Sequence, residues 1–341
     1  MSDPEPAATP AIDTVVIGAS AGGLRPLRAI VAGLPDDFPA TVLVVLHVAA
    51  TGTSVLPQIL GRATRLEVVP AEDGVALTPG RVIVARPDRH LVIAHGVVHL
   101  SRGPRENGHR PAIDPLMRAV ARARGPRAAG VILSGTRDDG TQGLAELKRC
   151  GGVAIVQDPE EAEYAGMPAN ALAGTPVDAV LPSAAIAAAL VDLASGGRRG
   201  KNSRKADAFF LVGGKETLGI TCPDCGGVLT ETDEAGVVHF RCHVGHAFSP
   251  RSLLALHAEG VERAMWTAAR SLEDRAMLLR RLADRARGAG NRSTTDQFEA
   301  NAGRADDEAR AIRAAIEALD DGFTADAPET STVPDGEEIM E

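Results

Sequence analysis

An alcohol, an imidazole and a pair of carboxyls each stand just beyond an apolar run. Ser20 lies in Gly18-Ala19-Ser20-Ala21-Gly22-Gly23 after Thr14–Ile17, and His47 ends Val42-Leu43-Val44-Val45-Leu46. Asp138 and Asp139 lie in the segment Ser134–Gly140 after Gly130–Leu133. A neutral imidazole can take a serine proton, and a carboxylate can hold the imidazole's tautomer and stabilise the imidazolium. The stretch around Ser20 satisfies G-x-S-x-G, the sharp strand-to-helix turn that exposes a nucleophile. Amides after that serine, at a helix start, can donate to a developing oxyanion. Each residue also has a plainer reading. A glycine-rich turn after a first strand can cradle phosphates, but Ser20 replaces the second glycine of G-x-G-x-x-G. The acid expected about 20 residues on is also missing, because the second strand ends in His47. A lone histidine at a strand end can be structural, and Asp138 or Asp139 can cap the helix that follows.

A second cluster points to a metal. Cys222 and Cys225 form C-x2-C, and Cys242 and His246 form C-x3-H after a 16-residue spacer. Three thiolates and an imidazole make a closed tetrahedral site, which is structural because no position is left for substrate. His239 and His243 compete as the fourth ligand. His243 adjoins Cys242 and reaches back poorly, so His246 is preferred. The intervening segment 231–240 reads as a hairpin, completing a zinc-ribbon-like module. So short a segment has too little apolar material to fold unaided. Cys150, at a helix end, reads as structural.

The elements that must position these residues alternate between strand and helix. Strands are predicted at Thr14–Ile17, Thr41–Leu46, Leu66–Val69, Arg81–Ala85, Leu91–Ala94, Gly130–Leu133, Val153–Val156 and Ala179–Leu181. Helices are predicted after Gly23 and over Ile113–Arg124, Thr141–Arg149 and Ala184–Leu193. Strands apolar on both faces argue a doubly wound, mostly parallel α/β sheet with helices on both faces. The run 65–100 reads as a β-rich insertion or meander. In such a sheet ligands bind at the carboxyl ends of strands, where the three candidate groups converge.

Residues 1–10 read as disordered, 11–195 as the α/β domain and 196–218 as a basic linker. Residues 219–250 form the zinc module, and 251–320 an α-helical hairpin. Ser249-Pro250 is a helix-start signal. Small or apolar residues at 254, 258, 261, 265, 268, 272, 276, 279 and 283 form one seam. A Gly-rich turn at 288–291 precedes a second seam at 298, 302, 305, 309, 312, 316 and 319. An acidic tail, 321–341, is expected to be disordered.

Composition narrows the function. The chain has 341 residues, 44% hydrophobic and 3% aromatic, so the core must be aliphatic. Of the net charge of −9, eight acids lie between Asp320 and Glu341. The remainder is near neutral, and no basic field points to nucleic acid. No run reaches the roughly 18 apolar residues of a membrane span. No signal peptide is recognisable, so a cytoplasmic location without membrane insertion is expected.

These motifs together resemble the chemotaxis protein-glutamate methylesterases, the CheB family, over roughly 12–195. IGASAGG resembles the family's nucleophile turn, VVLH the strand carrying its base, and LSGTRDDG its acid loop. Supporting matches are Pro87–His90, His109–Asp114, Gln157-Asp158 and Gly166–Pro168. The resemblance implies Ser20 as nucleophile, His47 as base and Asp139, rather than Asp138, as the acid. It implies oxyanion donors at the amides of Ala21 and Thr136. It further implies hydrolysis of γ-glutamyl methyl esters on chemoreceptor-like helices, with glutamine deamidation as a second activity and no cofactor for catalysis. Ala21 replaces the family's usual Thr, and Thr136-Arg137 its usual Met-Gly. Only about ten residues precede the first strand, so no receiver domain in cis is expected. Residues 219–320 are expected to serve instead as a docking or regulatory arm, separable from ester chemistry, with a helical partner for 251–320. The alternative is a catalytically inactive scaffold acting through that arm.

Overall fold

The computed structural model describes residues 11–48, 54–197, 217–234 and 237–323. Expectations for 1–10, 198–216 and 324–341 lie outside the described residues. The chain divides into two compact units, one ending at Leu256 and the other starting at His257.

Aliphatic runs form the centre of the first unit. Strands β1 (Thr14–Ala19), β2 (Thr41–Leu46), β3 (Glu67–Pro70), β4 (Arg81–Val84), β5 (His90–Ala94), β6 (Val97–Ser101), β7 (Ala128–Ile132), β8 (Val153–Gln157) and β9 (Ala179–Leu181) alternate with helices. These are α1 (Leu24–Ala32), α2 (Leu56–Gly61), α3 (Ile113–Arg124), α4 (Thr141–Arg149), α5 (Gly166–Gly174) and α6 (Ser183–Ala194). Seven strands join in the order β3-β4-β2-β1-β7-β8-β9, every neighbouring pair parallel. Strands β1, β7 and β8 are buried at every residue, as a sheet covered on both faces requires. One face packs on α1, α2 and α6 through Leu27, Ile30, Leu60, Ile186 and Leu190. The other packs on α3, α4 and α5 through Ile113, Leu116, Leu144, Leu147 and Met167.

The reading of 65–100 as an insertion is corrected in part. β3 and β4 extend the parallel sheet, and only β5 and β6 form a separate antiparallel hairpin. The short β3 shows little alternation, because an edge strand is only half covered.

The first unit also contains a four-stranded antiparallel ribbon of β10 (Thr217–Thr221), β11 (Val228–Glu234), β12 (Val237–Cys242) and β13 (Ala247–Phe248). Helix α7 (Pro250–Gly288) starts here, with Ser249 as its cap: Ser249 Oγ accepts the Ser252 amide at 3.2 Å. Leu253 and Leu256 of its first turns pack with Leu229, Phe248, Cys222 and Cys242.

In the second unit, the rest of α7 pairs with α8 (Arg292–Phe323). The seam on α7 is Ala-rich, with Ala269, Ala276 and Ala283 buried and Met265, Leu272 and Leu279 half-buried. The sequence pattern gives this register from 272 onward. Val261 and Ala268 face solvent instead, because Ala269 takes the inward position. On α8 the predicted Ala302, Ala305, Ala309 and Ile316 are buried. Ion pairs Arg280–Asp306 and Arg313–Glu273 join the two helices.

Close packing of β1 against α3 gives a first prediction. A Cβ on Gly18 would stand 2.5 Å from Ile113 Cγ2. Gly18→Ala is expected to destabilise the protein by about 1–3 kcal/mol through overpacking. A urea midpoint equal to wild type would contradict it.

Candidate active site

The chain runs from β1 to β2 on one side of β1 and returns through β7 on the other. The crevice at such a switch point lies at the carboxyl ends of the strands. Ser20 follows β1 there, and His47 follows β2. Because Ala19 pairs with Leu46, Ser20 and His47 are the next residues in register. The His47 amide donates to Ala19 O at 3.1 Å, which fixes His47 beside the Gly18–Gly23 turn.

The three candidate side chains are connected. Ser20 Oγ lies 3.1 Å from His47 Nδ1, and His47 Nε2 lies 2.8 Å from Asp139 Oδ2. An ionised carboxylate only accepts, so the imidazole proton belongs on Nε2 and the Nδ1 lone pair faces the serine hydroxyl. The His47 side chain is 7% exposed and that of Asp139 1%. In so dry a setting the hydrogen-bonded chain is insulated from solvent screening.

Asp139 is satisfied on both oxygens. Oδ2 also accepts the Ile113 amide at 2.6 Å, and Oδ1 accepts the Asp114 amide at 3.2 Å and Asn107 Nδ2 at 2.9 Å. Asp139 therefore caps the start of α3, whose own cap position, Ala112, has no side chain able to do so. Burial works to raise its carboxyl pKa. The His47 hydrogen bond and charge, with the Ile113 amide, outweigh burial and hold it well below the ordinary range. Asp114, next to it, is driven the other way, by burial and then by the Asp139 charge. The negative charge is thus favoured on the carboxylate that meets His47.

The plainer reading, in which the aspartates cap the helix that follows them, does not hold. Helix α4 starts after Gly140 with no side-chain cap. Asp138 instead accepts Ser252 Oγ at 2.6 Å, near the start of α7.

The amides of Ala21 and Thr136 bond to no acceptor among the described residues, and Thr136 is exposed. Ser134 braces the nucleophile turn: its carbonyl accepts the Ser20 amide at 2.9 Å and its hydroxyl donates to Ala21 O at 2.8 Å. Gly22 has φ +69°, and a Cβ there would meet Ser134 Oγ at 2.7 Å. A glycine is needed at that position on both counts.

Two residues at the site were not singled out by sequence reasoning. His109 stacks on His47, with ring centroids 3.7 Å apart and planes 10° apart. The one signal available for it was its place in the matched segment His109–Asp114. Asn107 had no signal, as its partners are scattered along the chain.

The cysteine cluster lies in the ribbon. Cys225 Sγ and Cys242 Sγ are 3.7 Å apart, and His246 Nδ1 is 3.5 Å from Cys242 Sγ and 3.8 Å from Cys222 Sγ. A zinc tetrahedron with Zn–S about 2.3 Å and Zn–N about 2.0 Å has S···S edges of about 3.8 Å and S···N edges of about 3.5 Å. The four ligand atoms lie within 4.8 Å of one another, so this Cys3His set could hold a metal ion. His239 is buried in β12 away from the set, with neither ring nitrogen bonded to protein, and His243 does not join it.

The ribbon is not a detached arm. Ala247 of β13 accepts the Asn107 amide at 2.8 Å and donates to Arg105 O at 3.3 Å. The Ser249 amide donates to Asn107 Oδ1 at 2.9 Å.

Burial, followed by the His47 charge, lowers the His109 pKa from 6.5 to about 3. The folded protein then binds fewer protons than the unfolded chain in that window. The stability involved is complete above about pH 6.5 and is lost as pH falls toward about 3. Between pH 6.5 and 5, unfolding free energy should fall with a slope of up to about 1.4 kcal/mol per pH unit from this residue. His109→Phe, which keeps a stacking ring, should flatten the slope. Equal slopes in urea titrations would contradict this account.

The profile of the CheB methylesterase family matches residues 15–190. A curated protein-glutamate methylesterase/protein-glutamine glutaminase of Anaeromyxobacter dehalogenans is 42% identical over 191 residues, 56% of either chain. One from Pseudomonas aeruginosa is 36% identical over 208 residues, 59% of either chain. The chain thus spans little more than half the length of these relatives. A putative enzyme of the same name from Leptospira interrogans is 37% identical over 182 residues, 53% of this chain and 94% of its own. The crystal structure of the Thermotoga maritima CheB methylesterase catalytic domain matches with TM-score 0.52 and 35% identity, over 54% of this chain and 100% of that one. Since the family profile covers just over half of its residues, including the segments that carry Ser20, His47 and Asp139, this chain belongs to the CheB methylesterase family.

Proposed function

We propose that the chain is a protein-glutamate methylesterase that uses Ser20 as nucleophile, His47 as general base and acid, and Asp139 as its orienting carboxylate. The observation that supports this most strongly is the unbroken chain Ser20 Oγ–His47 Nδ1, His47 Nε2–Asp139 Oδ2 at 3.1 and 2.8 Å. Ser20 Oγ attacks the γ-glutamyl ester carbonyl while its proton passes to Nδ1. The amides of Ala21 and Thr136 receive the oxyanion. The tetrahedral adduct collapses, and methoxide leaves as methanol with the proton from His47. Water then cleaves the acyl-serine through the same base, releasing glutamate. With a glutamine side chain the leaving group is ammonia, which is the glutaminase reaction in the relatives' names. Methylated helices of chemoreceptor-like proteins are the proposed substrates, in the cytoplasm. Among the described residues no helix is long and apolar enough to cross a membrane. A catalytically inactive scaffold finds no support in a site with all three groups in bonding reach.

The ribbon's Cys222, Cys225, Cys242 and His246 are proposed to bind one structural zinc. Four protein ligands close the ion to substrate, so it supplies folding energy and takes no part in the ester reaction.

Methanol release from methylated receptor helices should fall by about 10³-fold or more in Ser20→Ala, and by about 10²–10⁴-fold in Asp139→Asn. Undiminished release from Ser20→Ala would end the proposal. Purified protein should also contain one zinc per chain, lost in Cys225→Ser. Stoichiometric zinc in that variant would remove Cys225 from the ligand set.

A further inference from the structure

The acid loop and the ribbon are joined by an uninterrupted set of short polar contacts. Asn107, 1% exposed, stands between them. Its Nδ2 donates to Asp139 Oδ1 at 2.9 Å and to Asp114 Oδ2 at 2.9 Å. Its Oδ1 accepts the Ser249 amide at 2.9 Å, and its own amide donates to Ala247 O at 2.8 Å. Every hydrogen-bonding group of the side chain is used, two on the sheet side and one on the ribbon side. Its backbone has φ +53°, a left-handed conformation that asparagine tolerates better than most residues. One step along the acid loop, buried Asp138 accepts Ser252 Oγ at 2.6 Å. Asp138 is thus held from the first turn of α7, and Asp139, through Asn107, from the cap residue Ser249.

That first turn depends in turn on the cysteine cluster. Leu253 and Leu256 pack directly with Cys222, Cys242, Leu229 and Phe248. Ala247, which receives the Asn107 amide, follows the ligand His246 in sequence. The ribbon's core is small: among the described residues its buried apolar members are Cys222, Leu229, Val238, Cys242, Ala247 and Phe248, with Leu253 of α7 packed on Cys222, Leu229, Cys242 and Phe248. A module this small depends on a bound ion to hold its shape.

We propose that Asn107 is a positioning residue for Asp139, and that metal in the Cys3His ribbon sets ester turnover through it, at a distance from the reacting atoms. The inference rests on the esterase reading above and adds metal dependence to it. With the ion bound, β13 and the start of α7 hold Asn107, and Asn107 aims Oδ1 of Asp139 so that Oδ2 faces His47. Without the ion, the ribbon-side partners of Asn107 and Asp138 lose their fixed positions. The carboxylate is then no longer oriented on both sides. The expected consequence is a slower chemical step with little change in substrate binding, because the side chains in this set, from Asn107 and Asp139 to Ser249 and Ser252, are all buried. The arrangement would make the esterase responsive to zinc supply or to oxidation of the three thiols.

The test uses the full chain, loaded with zinc or stripped with a chelator, and a small ester substrate. Stripping should lower kcat at least tenfold with KM changed less than twofold, and added zinc should restore it. The amides of Ile113 and Asp114, which Asp139 accepts, should exchange faster with deuterium in the stripped protein, while far-UV circular dichroism keeps the α/β signal. Zinc-loaded Asn107→Ala should show the same kcat loss with full zinc content. Stripping that variant should cost no more than the Ser252→Ala loss, because only the Asp138 contact is left for the metal to hold. Ser252→Ala, which removes only the Asp138 contact, gives a milder version of the loss should Asn107→Ala fold poorly. Stripped protein with wild-type kcat and unchanged exchange at 113 and 114 would overturn the proposal. So would losses that multiply between stripping and Asn107→Ala. If zinc-loaded wild type shows no Ser20-dependent turnover, the esterase reading fails instead, and the exchange data at 113 and 114 still decide whether metal and acid loop are connected.

Discussion

A carboxylate with 1% of its side chain exposed, like Asp139, must have its charge met by donors from the protein. Four do so: an imidazole, two amides and an asparagine side chain. They come from the end of β2, from the first turn of α3 and from the loop before it. Meeting that one charge therefore fixes how three separate parts of the chain meet. The start of α3 gains a cap it lacks locally, and His47 gains a fixed tautomer. The neighbouring Asp114 is pushed toward its neutral form by the same charge, after burial itself. Two neighbouring buried carboxyls are thus shifted in opposite directions because one faces an imidazole and two amides and the other does not.

The sheet supplies the geometry that makes this possible. β1 lies between β2 and β7, so its carboxyl end adjoins both the strand that ends in His47 and the strand that leads to the acid loop. Ser20 and His47 follow register partners on adjacent strands, and their separation is set by backbone pairing. Asp139 comes seven residues after the end of β7, so its position is set by its donors and not by pairing. This is where segments 105–109 and 247–252 make contact.

Much of this was legible in the sequence because it follows from local pattern. Aliphatic runs ending in a polar group gave β1, β2 and β7 together with Ser20, His47 and the acid pair. The cysteine spacing gave the four atoms that now lie within 4.8 Å of each other. What stayed hidden depends on contacts distant in sequence. Asn107 sits in a polar loop with no periodicity, and its partners are Asp139, Asp114, Ala247 and Ser249. The stacking of His109 on His47 joins two loops 62 residues apart in number. The membership of β3, the edge strand of the main sheet, was hidden for another reason. Edge strands are short and half exposed, so the continuous apolar run that marks a central strand is absent. In α7 an Ala at both 268 and 269 left the seam's phase open, and pairing with α8 selected 269.

The orientation of His47 follows from the same topology. Its Nδ1 faces the serine and its Nε2 the carboxylate, the reverse of the arrangement most often drawn for serine hydrolases. Nδ1 is the ring nitrogen nearer the backbone. It serves the group on the adjacent strand, which backbone pairing has already brought close. Nε2, at the far end of the ring, reaches past β1 to the cap of α3. The chemistry is unaffected, because either nitrogen accepts a proton when the other one donates. His109 then covers one face of the ring and, with its pKa lowered to about 3, adds no positive charge beside it near neutral pH. The ring is thus constrained by a bond at each nitrogen and by stacking on one face.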